Sequence, residues 1–128
     1  LVPVKLLALF AQYCKEGAVV TISDGNISRL NEDFQNYRIS KLFLNELTRQ
    51  LAFTYKGVLR INTVAPGTVL PPVHAAEDVS YQNALALALT GRKTSLESVV
   101  ATVQFLLLST DITGECIAVD GGFSIYGF

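Results

Sequence analysis

Two side chains that could move a proton together are spaced one helical turn apart in the sequence. Tyr37 and Lys41 are separated by four residues, which makes them neighbours on one face of a helix. An ammonium group beside a phenol favours the phenolate, so this spacing predicts that Lys41 lowers the pKa of Tyr37 and makes it a usable acid or base. The same spacing also fits a solvated helix pair, and the surrounding elements must decide between the two interpretations.

The elements around this pair are predicted from hydrophobic periodicity. AVVTIS at 18–23 lacks polar–apolar alternation, as is typical of a strand buried on both faces of a parallel sheet, and Asp24 follows it directly. A long helical pattern covers 35–56 and ends at Gly57, a typical C-terminal helix cap. The pair therefore lies at the start of the helix that follows a buried strand.

The rest of the chain repeats this alternation. We predict further helices over 4–15, 77–89 and 95–108, and further strands over 58–65 and 115–120. Alternating helices and strands predict an α/β fold with a parallel sheet and crossover helices, in which ligands bind at the carboxyl ends of the strands. These ends carry Ser23-Asp24, Pro66-Gly67 and Asp120-Gly121.

The last helix has a clear predicted start. Thr94 and Glu97 have the spacing of a capping box, and the leucines and phenylalanine that follow in this helix are predicted to belong to the core.

Composition excludes several classes of protein. With 128 residues and a net charge of −1, the chain is at most one domain, and it lacks the basic face that nucleic-acid binding requires. No stretch is long and apolar enough to cross a bilayer. The only histidine, His74, has no cysteine nearby, so we predict no metal site. Cys14 and Cys116 are far apart and show no disulfide framework, so we expect reduced thiols and a cytoplasmic protein.

The sequence contains no methionine. Because translation starts at one, we expect residue 1 to be an internal position of a longer protein, and the opening LVPVKLLALFAQYC to be a helix cut off at its beginning.

Five segments, in order, resemble the C-terminal half of the short-chain dehydrogenase/reductases. They are TISD at 21–24, YRISK at 37–41, LTRQLA at 47–52, RINTVAPG at 60–67 and TGECIAVDGG at 113–122. This resemblance covers nearly the whole chain, and it implies that residues 1–128 form the C-terminal catalytic portion of one Rossmann-like, doubly wound parallel sheet.

The resemblance also implies a role for particular positions. Tyr37 is the expected proton donor, and Lys41 the residue that binds the nicotinamide ribose. Pro66, Gly67, Thr68 and Val69 are expected to line the nicotinamide end of the cofactor. It further implies a homotetramer in which helices 4–15 and 35–56 pack between subunits, and a turn at Asp120-Gly121-Gly122 that is structural rather than catalytic.

The residue 13 positions ahead of Tyr37 departs from the common pattern. Most members of this family have a serine there, whereas this chain has Asp24, with Ser23 next to it. An aspartate at this place is similar to the pteridine reductases and the dihydromonapterin and dihydrofolate reductases. A carboxylate suits a pterin, which offers N–H donors where a ketone offers only an acceptor oxygen. The alternative is a shift of one residue, with Ser23 as the catalytic serine.

The glycine-rich turn that holds the cofactor pyrophosphate in this family is absent from these 128 residues. We therefore expect the chain alone to be inactive. The leading interpretation is an NADPH-dependent reductase of a pterin or dihydrofolate, with NADP preferred over NAD. The alternatives are a carbonyl or 3-oxoacyl reductase that uses Ser23, and a non-catalytic assembly subunit.

Overall fold

Three strands alternate with four helices along the described part of the chain. The computed structural model describes residues 2–28, 30, 32, 34–71, 73 and 79–127. The elements are α1 (Val2–Tyr13), β1 (Gly17–Ile22), α2 (Gln35–Thr54), β2 (Leu59–Pro66), α3 (Val79–Leu87), α4 (Leu96–Leu108) and β3 (Cys116–Val119). Two short 3₁₀ helices, Gly25–Ser28 and Phe123–Gly127, follow β1 and β3.

The strands form one parallel sheet in the order β1-β2-β3. The β1–β2 pairing runs from Gly17↔Leu59 to Ile22↔Val64, and the β2–β3 pairing ends at Pro66↔Val119. All three strands therefore point their carboxyl ends to one edge. The predicted α/β architecture with a parallel sheet is confirmed.

The core lies on both faces of β2, whose successive side chains point to opposite sides of the sheet. On one face, Ile61 packs with Leu7 of α1 and Leu51 of α2. On the other face, Val64 packs with Val99 and Leu106 of α4. This arrangement places α2, with Tyr37 and Lys41 in its first two turns, against the β1 and β2 edge of the sheet.

Two predictions about α4 are wrong. Ser95, not Thr94, is the N-cap, and its hydroxyl accepts a hydrogen bond from the Ser98 N–H. Only Val99 and Leu106 of this helix are buried. Phe105 and Leu108 are exposed, so this helix presents apolar surface on its outer side.

The end of α4 is fixed by side chains of β2. The Arg60 guanidinium donates hydrogen bonds to the carbonyl groups of Leu106, Leu107 and Ser109. The buried Asn62 amide donates to Ile112 O at 2.9 Å and accepts from the Glu115 N–H at 3.0 Å. Because unpaired carbonyls at a helix end must find donors, these contacts define where α4 stops and where β3 starts.

The remaining predictions concern boundaries, metals and membranes. The helices and strands match their predicted ranges to within two residues at each end that is described. The predicted start of the third helix, with Glu77, and His74 lie outside the described residues. Within the described ranges, no group of three or more histidine, cysteine, aspartate or glutamate side chains could hold a metal ion. None of the helices described has the length and apolar character needed to cross a bilayer.

Candidate active site

Asp24 and Tyr37 are in direct contact at the carboxyl edge of the sheet. Asp24 follows β1, where its Oδ1 accepts the N–H of Asn26 at 2.7 Å and so closes the turn into the first 3₁₀ helix. Its Oδ2 accepts a hydrogen bond from the Tyr37 hydroxyl, also at 2.7 Å. Tyr37 is 46% exposed. A solvent-accessible phenol is thus held by a carboxylate that is itself fixed by the backbone.

Lys41 lies one turn further along α2, as its spacing predicts. Its ammonium group donates to Ile22 O at 3.0 Å, at the end of β1, and Nζ lies 5.7 Å from the centre of the Tyr37 ring. An ammonium group has three N–H donors, and the bond to Ile22 uses one of them. The strand end therefore orients Lys41 toward the same edge as Asp24.

The predicted lowering of the Tyr37 pKa is wrong. Partial burial, the hydrogen bond to Asp24 and the negative charge of Asp24 together raise the pKa of Tyr37 to about 12. The carboxylate is 2.7 Å from the phenol oxygen, whereas the ammonium group of Lys41 is held at a backbone carbonyl. Tyr37 therefore keeps its proton at neutral pH, which is the state that a proton donor needs.

Ser23 has a different environment. It is 5% exposed, its backbone N–H donates to Val64 O at 2.8 Å, and its hydroxyl donates to Lys41 O at 3.5 Å. The hydroxyl is thus used by the backbone of α2 beneath the site. Of the two candidate residues, Asp24 is the one in contact with the Tyr37 hydroxyl.

The loop after β2 reaches the same edge. The Gly67 N–H donates to Val119 O, and Thr68 O accepts the N–H of Thr94. Val69 packs against the α4 side of the core. Pro66, Gly67, Thr68 and Val69 are all partly buried. The structure therefore places these four residues at the strand end next to that of Asp24.

The buried carboxyl-bearing residue Asp120 lies against both the loop after β1 and the loop after β2. The resemblance implies only a structural role for its turn. Asp120, which follows β3, is 6% exposed; its two oxygens accept the N–H groups of Gly122 at 2.9 Å and Ser124 at 2.8 Å. A Cβ on Gly25 would lie 2.9 Å from the Asp120 Cβ, and one on Gly67 would lie 2.7 Å from the Asp120 Cα. Glycine at both positions therefore lets both loops rest directly on Asp120.

A second buried polar cluster sets the position of α2. Thr21 of β1 and Thr63 of β2, which pair in register, share a hydrogen bond of 2.8 Å between their hydroxyls. The Thr63 hydroxyl donates to Thr48 of α2 at 2.8 Å, and Thr48 donates to Leu44 O at 3.0 Å. Thr48 lies two turns from Lys41 on the same helix face, so this chain of hydroxyls fixes the face that α2 turns to the sheet.

The raised pKa can be measured directly. We expect Tyr37 to remain a phenol up to about pH 11, since its pKa is about 12 against an ordinary 10.0. The difference in phenolate absorbance between the protein and its Tyr37→Phe variant reports this titration. In an Asp24→Asn background the negative charge is removed, so the pKa of Tyr37 obtained from the same difference should move toward its ordinary value. An unchanged difference in the Asn variant would contradict the role of Asp24.

The same shift has a consequence for stability. Because the pKa is raised in the folded protein, the contribution of the Tyr37–Asp24 contact is fully present below about pH 10 and is lost as the pH rises toward about 12. Tyr37→Phe should therefore reduce the alkaline loss of stability measured by thermal unfolding over this range.

Comparison with known proteins places this geometry in a family. Residues 5–124 match a family model described as enoyl-(acyl carrier protein) reductase. A tropinone reductase homologue of Arabidopsis thaliana is 39% identical over 98 residues, which cover 72% of this chain and 37% of that protein. The dihydromonapterin reductase of Citrobacter koseri is 30% identical over 105 residues, which cover 81% of this chain and 43% of that protein.

Solved structures agree with the sequence relatives. FolM alternative dihydrofolate reductase 1 from Brucella canis, complexed with NADP, superposes with a TM-score of 0.75 at 31% identity, over 87% of this chain and 44% of that one. A short-chain dehydrogenase/reductase from Mycobacterium ulcerans superposes with a TM-score of 0.79 at 26% identity, over 90% of this chain and 45% of that one.

The chain belongs to the short-chain dehydrogenase/reductase family. It spans less than half the length of the curated relatives that it matches, and its fold is the Rossmann-like fold of those neighbours.

Proposed function

We propose that the protein carrying this chain is an NADPH-dependent reductase of a pterin or dihydrofolate-type substrate. The observation that carries this proposal is the 2.7 Å hydrogen bond from the Tyr37 hydroxyl to Asp24 at the carboxyl edge of the sheet. It brings together a proton donor and an anionic hydrogen-bond acceptor at the place where ligands bind in parallel sheets.

The protonation state of the pair at neutral pH matches the first step of a reduction. With a pKa of about 12, Tyr37 carries its proton at neutral pH and can give it to a substrate atom that has gained a hydride. The phenolate left behind would face the Asp24 carboxylate, and this repulsion between like charges drives Tyr37 to recover a proton. Asp24 is the adjacent group through which that proton can return.

Asp24 also supports the substrate class. Each carboxylate oxygen accepts one hydrogen bond within the protein, and each has a second lone pair for a substrate donor. The ring N–H and amino groups of a pterin can donate to it, whereas a ketone oxygen facing a carboxylate would be repelled. The relatives include a dihydromonapterin reductase and an alternative dihydrofolate reductase, which is consistent with this choice.

The residues at the edge of the sheet fit the nicotinamide end of the cofactor. When bound, NADPH supplies the hydride. Lys41 retains N–H donors beyond its bond to Ile22 and lies beside the exposed Tyr37, so the two can bind ribose hydroxyls. Pro66, Gly67, Thr68 and Val69 form the adjoining loop. The preference for NADP over NAD is part of the proposal, and the NADP in the Brucella canis structure supports it.

A carbonyl or 3-oxoacyl reductase remains the second candidate, because tropinone reductase homologues are among the relatives. It would require the Ser23 hydroxyl to leave its bond to Lys41 O and reach the substrate.

Assays of NADPH oxidation separate the two candidates. The purified protein is tested with dihydrofolate, a dihydropterin, a bicyclic ketone and a 3-oxoacyl thioester, each with NADPH and with NADH. We expect the highest kcat/KM with a pterin or folate substrate and NADPH. Turnover of the ketone or thioester alone would overturn the proposal. The 128-residue chain by itself, tested by calorimetry, should bind NADPH only weakly, since it has no glycine-rich turn for the pyrophosphate.

We further propose that the protein is a homotetramer. Apolar side chains are exposed on the outer faces of α1 and α2, on one side of the sheet, and of α4, on the other side; they include Leu6, Leu9, Ile39, Phe43, Phe105 and Leu108. Large exposed apolar surfaces mark protein interfaces. Two such surfaces on opposite sides of one subunit suit two different two-fold contacts, which together form a tetramer.

Light scattering at micromolar concentration tests the assembly. We expect a tetramer for the protein and a dimer for Phe43→Glu, which places a charge in the α2 face. Gln50→Glu, at an exposed polar position on the same helix, is the matched control and should leave the tetramer intact. A monomer for the unaltered protein would contradict the proposal.

The location that we propose is the cytoplasm. Cys14 and Cys116 are both free thiols, and burial together with the charge of Glu115 raises the pKa of Cys116. Two unpaired thiols suit a reducing compartment, and the raised pKa of Cys116 makes that thiol less reactive as a nucleophile.

A further inference from the structure

The turn that follows β1 holds the Asp24 carboxylate in place. It consists of residues 24–28, which we call the Asp24 turn. Asp24 Oδ1 accepts the Asn26 N–H at 2.7 Å, and the Ser28 hydroxyl donates to Gly25 O at 3.1 Å. Because the carboxylate is bonded to the backbone of its own turn, a displacement of the turn displaces Asp24 with it.

Two neighbouring residues of α2 contact the Asp24 turn. The Tyr37 hydroxyl donates to Asp24 Oδ2 at 2.7 Å, at the start of the turn. The Arg38 Nε–H donates to Ile27 O at 2.8 Å, near its end. The Ile27 side chain is buried, and a hydrogen bond from a charged donor is stronger than one between neutral groups. The first two turns of α2 therefore hold the Asp24 turn at two separate points.

These two contacts differ in what the proposed reaction does to them. The Tyr37–Asp24 bond uses the proton that Tyr37 gives to the substrate, so that bond is lost in this step. A phenolate and a carboxylate then face each other and repel, which pushes the Asp24 turn away from α2. The bond from Arg38 to Ile27 O uses an N–H that takes no part in the reaction, so it opposes this separation.

We propose that Arg38 is a positioning residue, which holds the Asp24 turn against α2 so that Asp24 stays beside Tyr37 while the phenol loses and regains its proton. This role rests on the proposed function of Tyr37 as proton donor. Arg38 acts through Asp24 and has no contact with the substrate in it. The part of the side chain that matters is the Nε–H donor, and the positive charge is secondary.

Two substitutions separate the hydrogen bond from the charge. In Arg38→Gln the amide nitrogen lies the same number of bonds from Cα as the arginine Nε, so an N–H donor remains while the charge is lost. Arg38→Met places a methyl group at that position and removes both the donor and the charge. Because both variants lack the guanidinium group, a difference between them reports the bond to Ile27 O.

The alkaline titration of Tyr37 measures its contact with Asp24 without any substrate. Each variant is compared with the same variant carrying Tyr37→Phe. We expect the pKa of Tyr37 to stay near about 12 in Arg38→Gln and to fall toward 10.0 in Arg38→Met, where the carboxylate is free to move away. Loss of a nearby positive charge acts in the opposite direction, since it raises the pKa of a phenol. Lys41, the other cation beside Tyr37, is unchanged in both variants.

Steady-state NADPH oxidation provides the second measurement. We expect kcat to fall by at least about tenfold in Arg38→Met, within the range for a slightly misplaced reacting group, and to change little in Arg38→Gln. Arg49→Met, at an exposed position further along α2, is the matched control and should alter neither kcat nor the titration. Arg38→Ala, which also lacks the donor, repeats the test in a second variant, and the Tm shows that each variant is folded.

Equal titrations in Arg38→Gln and Arg38→Met would overturn the proposal, whether both stay near that of the unaltered protein or both fall. A lower Tm in Arg38→Met with an unchanged titration would assign Arg38 to stability alone, and an unchanged kcat would also exclude the positioning role. Because the titration needs no substrate, failure of the proposed reductase activity would leave the expected difference between the two variants intact. An active protein with identical titrations would reject the role of Arg38 and leave the proposed function standing.

Discussion

Tyr37→Phe should reduce kcat for the reduction by a hundredfold or more, the usual scale for the loss of a positioned general acid. The variant keeps the aromatic ring and removes only the hydroxyl, whose one described bond is to Asp24. KM for the substrate should change much less, because the ring and Asp24 remain in place. Steady-state NADPH oxidation by the protein measures both constants.

Matched controls separate this effect from damage to the fold. Tyr13, at the end of α1, is 84% exposed, and Tyr13→Phe should leave kcat unchanged. The Tm of Tyr37→Phe at neutral pH should fall only slightly, because the variant loses one exposed hydrogen bond to Asp24, and the variant should remain folded under the assay conditions. Nearly full activity in Tyr37→Phe would remove Tyr37 from the role of proton donor.

The sequence could predict the elements because their signals are local. Gly57 has a positive φ of 77° in the turn that follows α2, although the C-cap of the helix is Tyr55 and not Gly57 as predicted. The strands β1 and β2 are largely apolar runs between clear turn residues. The parallel sheet followed from the alternation of helix and strand, and the shared edge of Asp24, Pro66 and Asp120 followed from the sheet.

The features that the sequence could not predict depend on contacts between distant residues. The 3₁₀ helix Phe123–Gly127 starts where the Asp120 carboxylate accepts two N–H groups, while Asp120 is itself buried by loops from β1 and β2. The buried hydroxyl of Thr94, which has no hydrogen-bond partner among the described residues, is of the same kind. The spacing of Thr94 and Glu97 predicts a capping box with Thr94 as N-cap. In the structure the Thr94 N–H donates to Thr68 O, 26 residues earlier in the chain, and Ser95 is the N-cap of α4.

For Tyr37, the four-residue spacing predicts the correct neighbour, Lys41, but the wrong direction of the pKa shift. Lys41 does lie beside Tyr37, as a separation of four residues predicts. Its ammonium group is oriented by Ile22 O, however, and the carboxylate nearest to the phenol comes from a different element. The spacing within one helix contains no information about that carboxylate.

Asp24→Ser should then reveal the substrate class. If the site binds a pterin or dihydrofolate, the variant loses the anionic acceptor for the ring N–H groups as well as the partner of Tyr37. We expect kcat/KM for that substrate to fall by about a hundredfold, the scale of a lost hydrogen bond to a charged group. A hydroxyl at this position can donate to a carbonyl oxygen, so turnover of a simple ketone should be retained or should increase.

Ser23→Ala is the matched variant at the adjacent position. Its hydroxyl contacts the backbone of α2 at Lys41 and not the phenol of Tyr37, so the variant should keep most of its pterin reduction. Loss of the Ser23 hydroxyl should affect the protein only by removing the contact with the backbone at Lys41. We expect this to appear as a small change in Tm. The opposite pattern, with Asp24→Ser harmless and Ser23→Ala inactive, would assign catalysis to Ser23. The carbonyl or 3-oxoacyl substrate would then replace the pterin, because a serine hydroxyl that donates to the substrate oxygen requires an acceptor there.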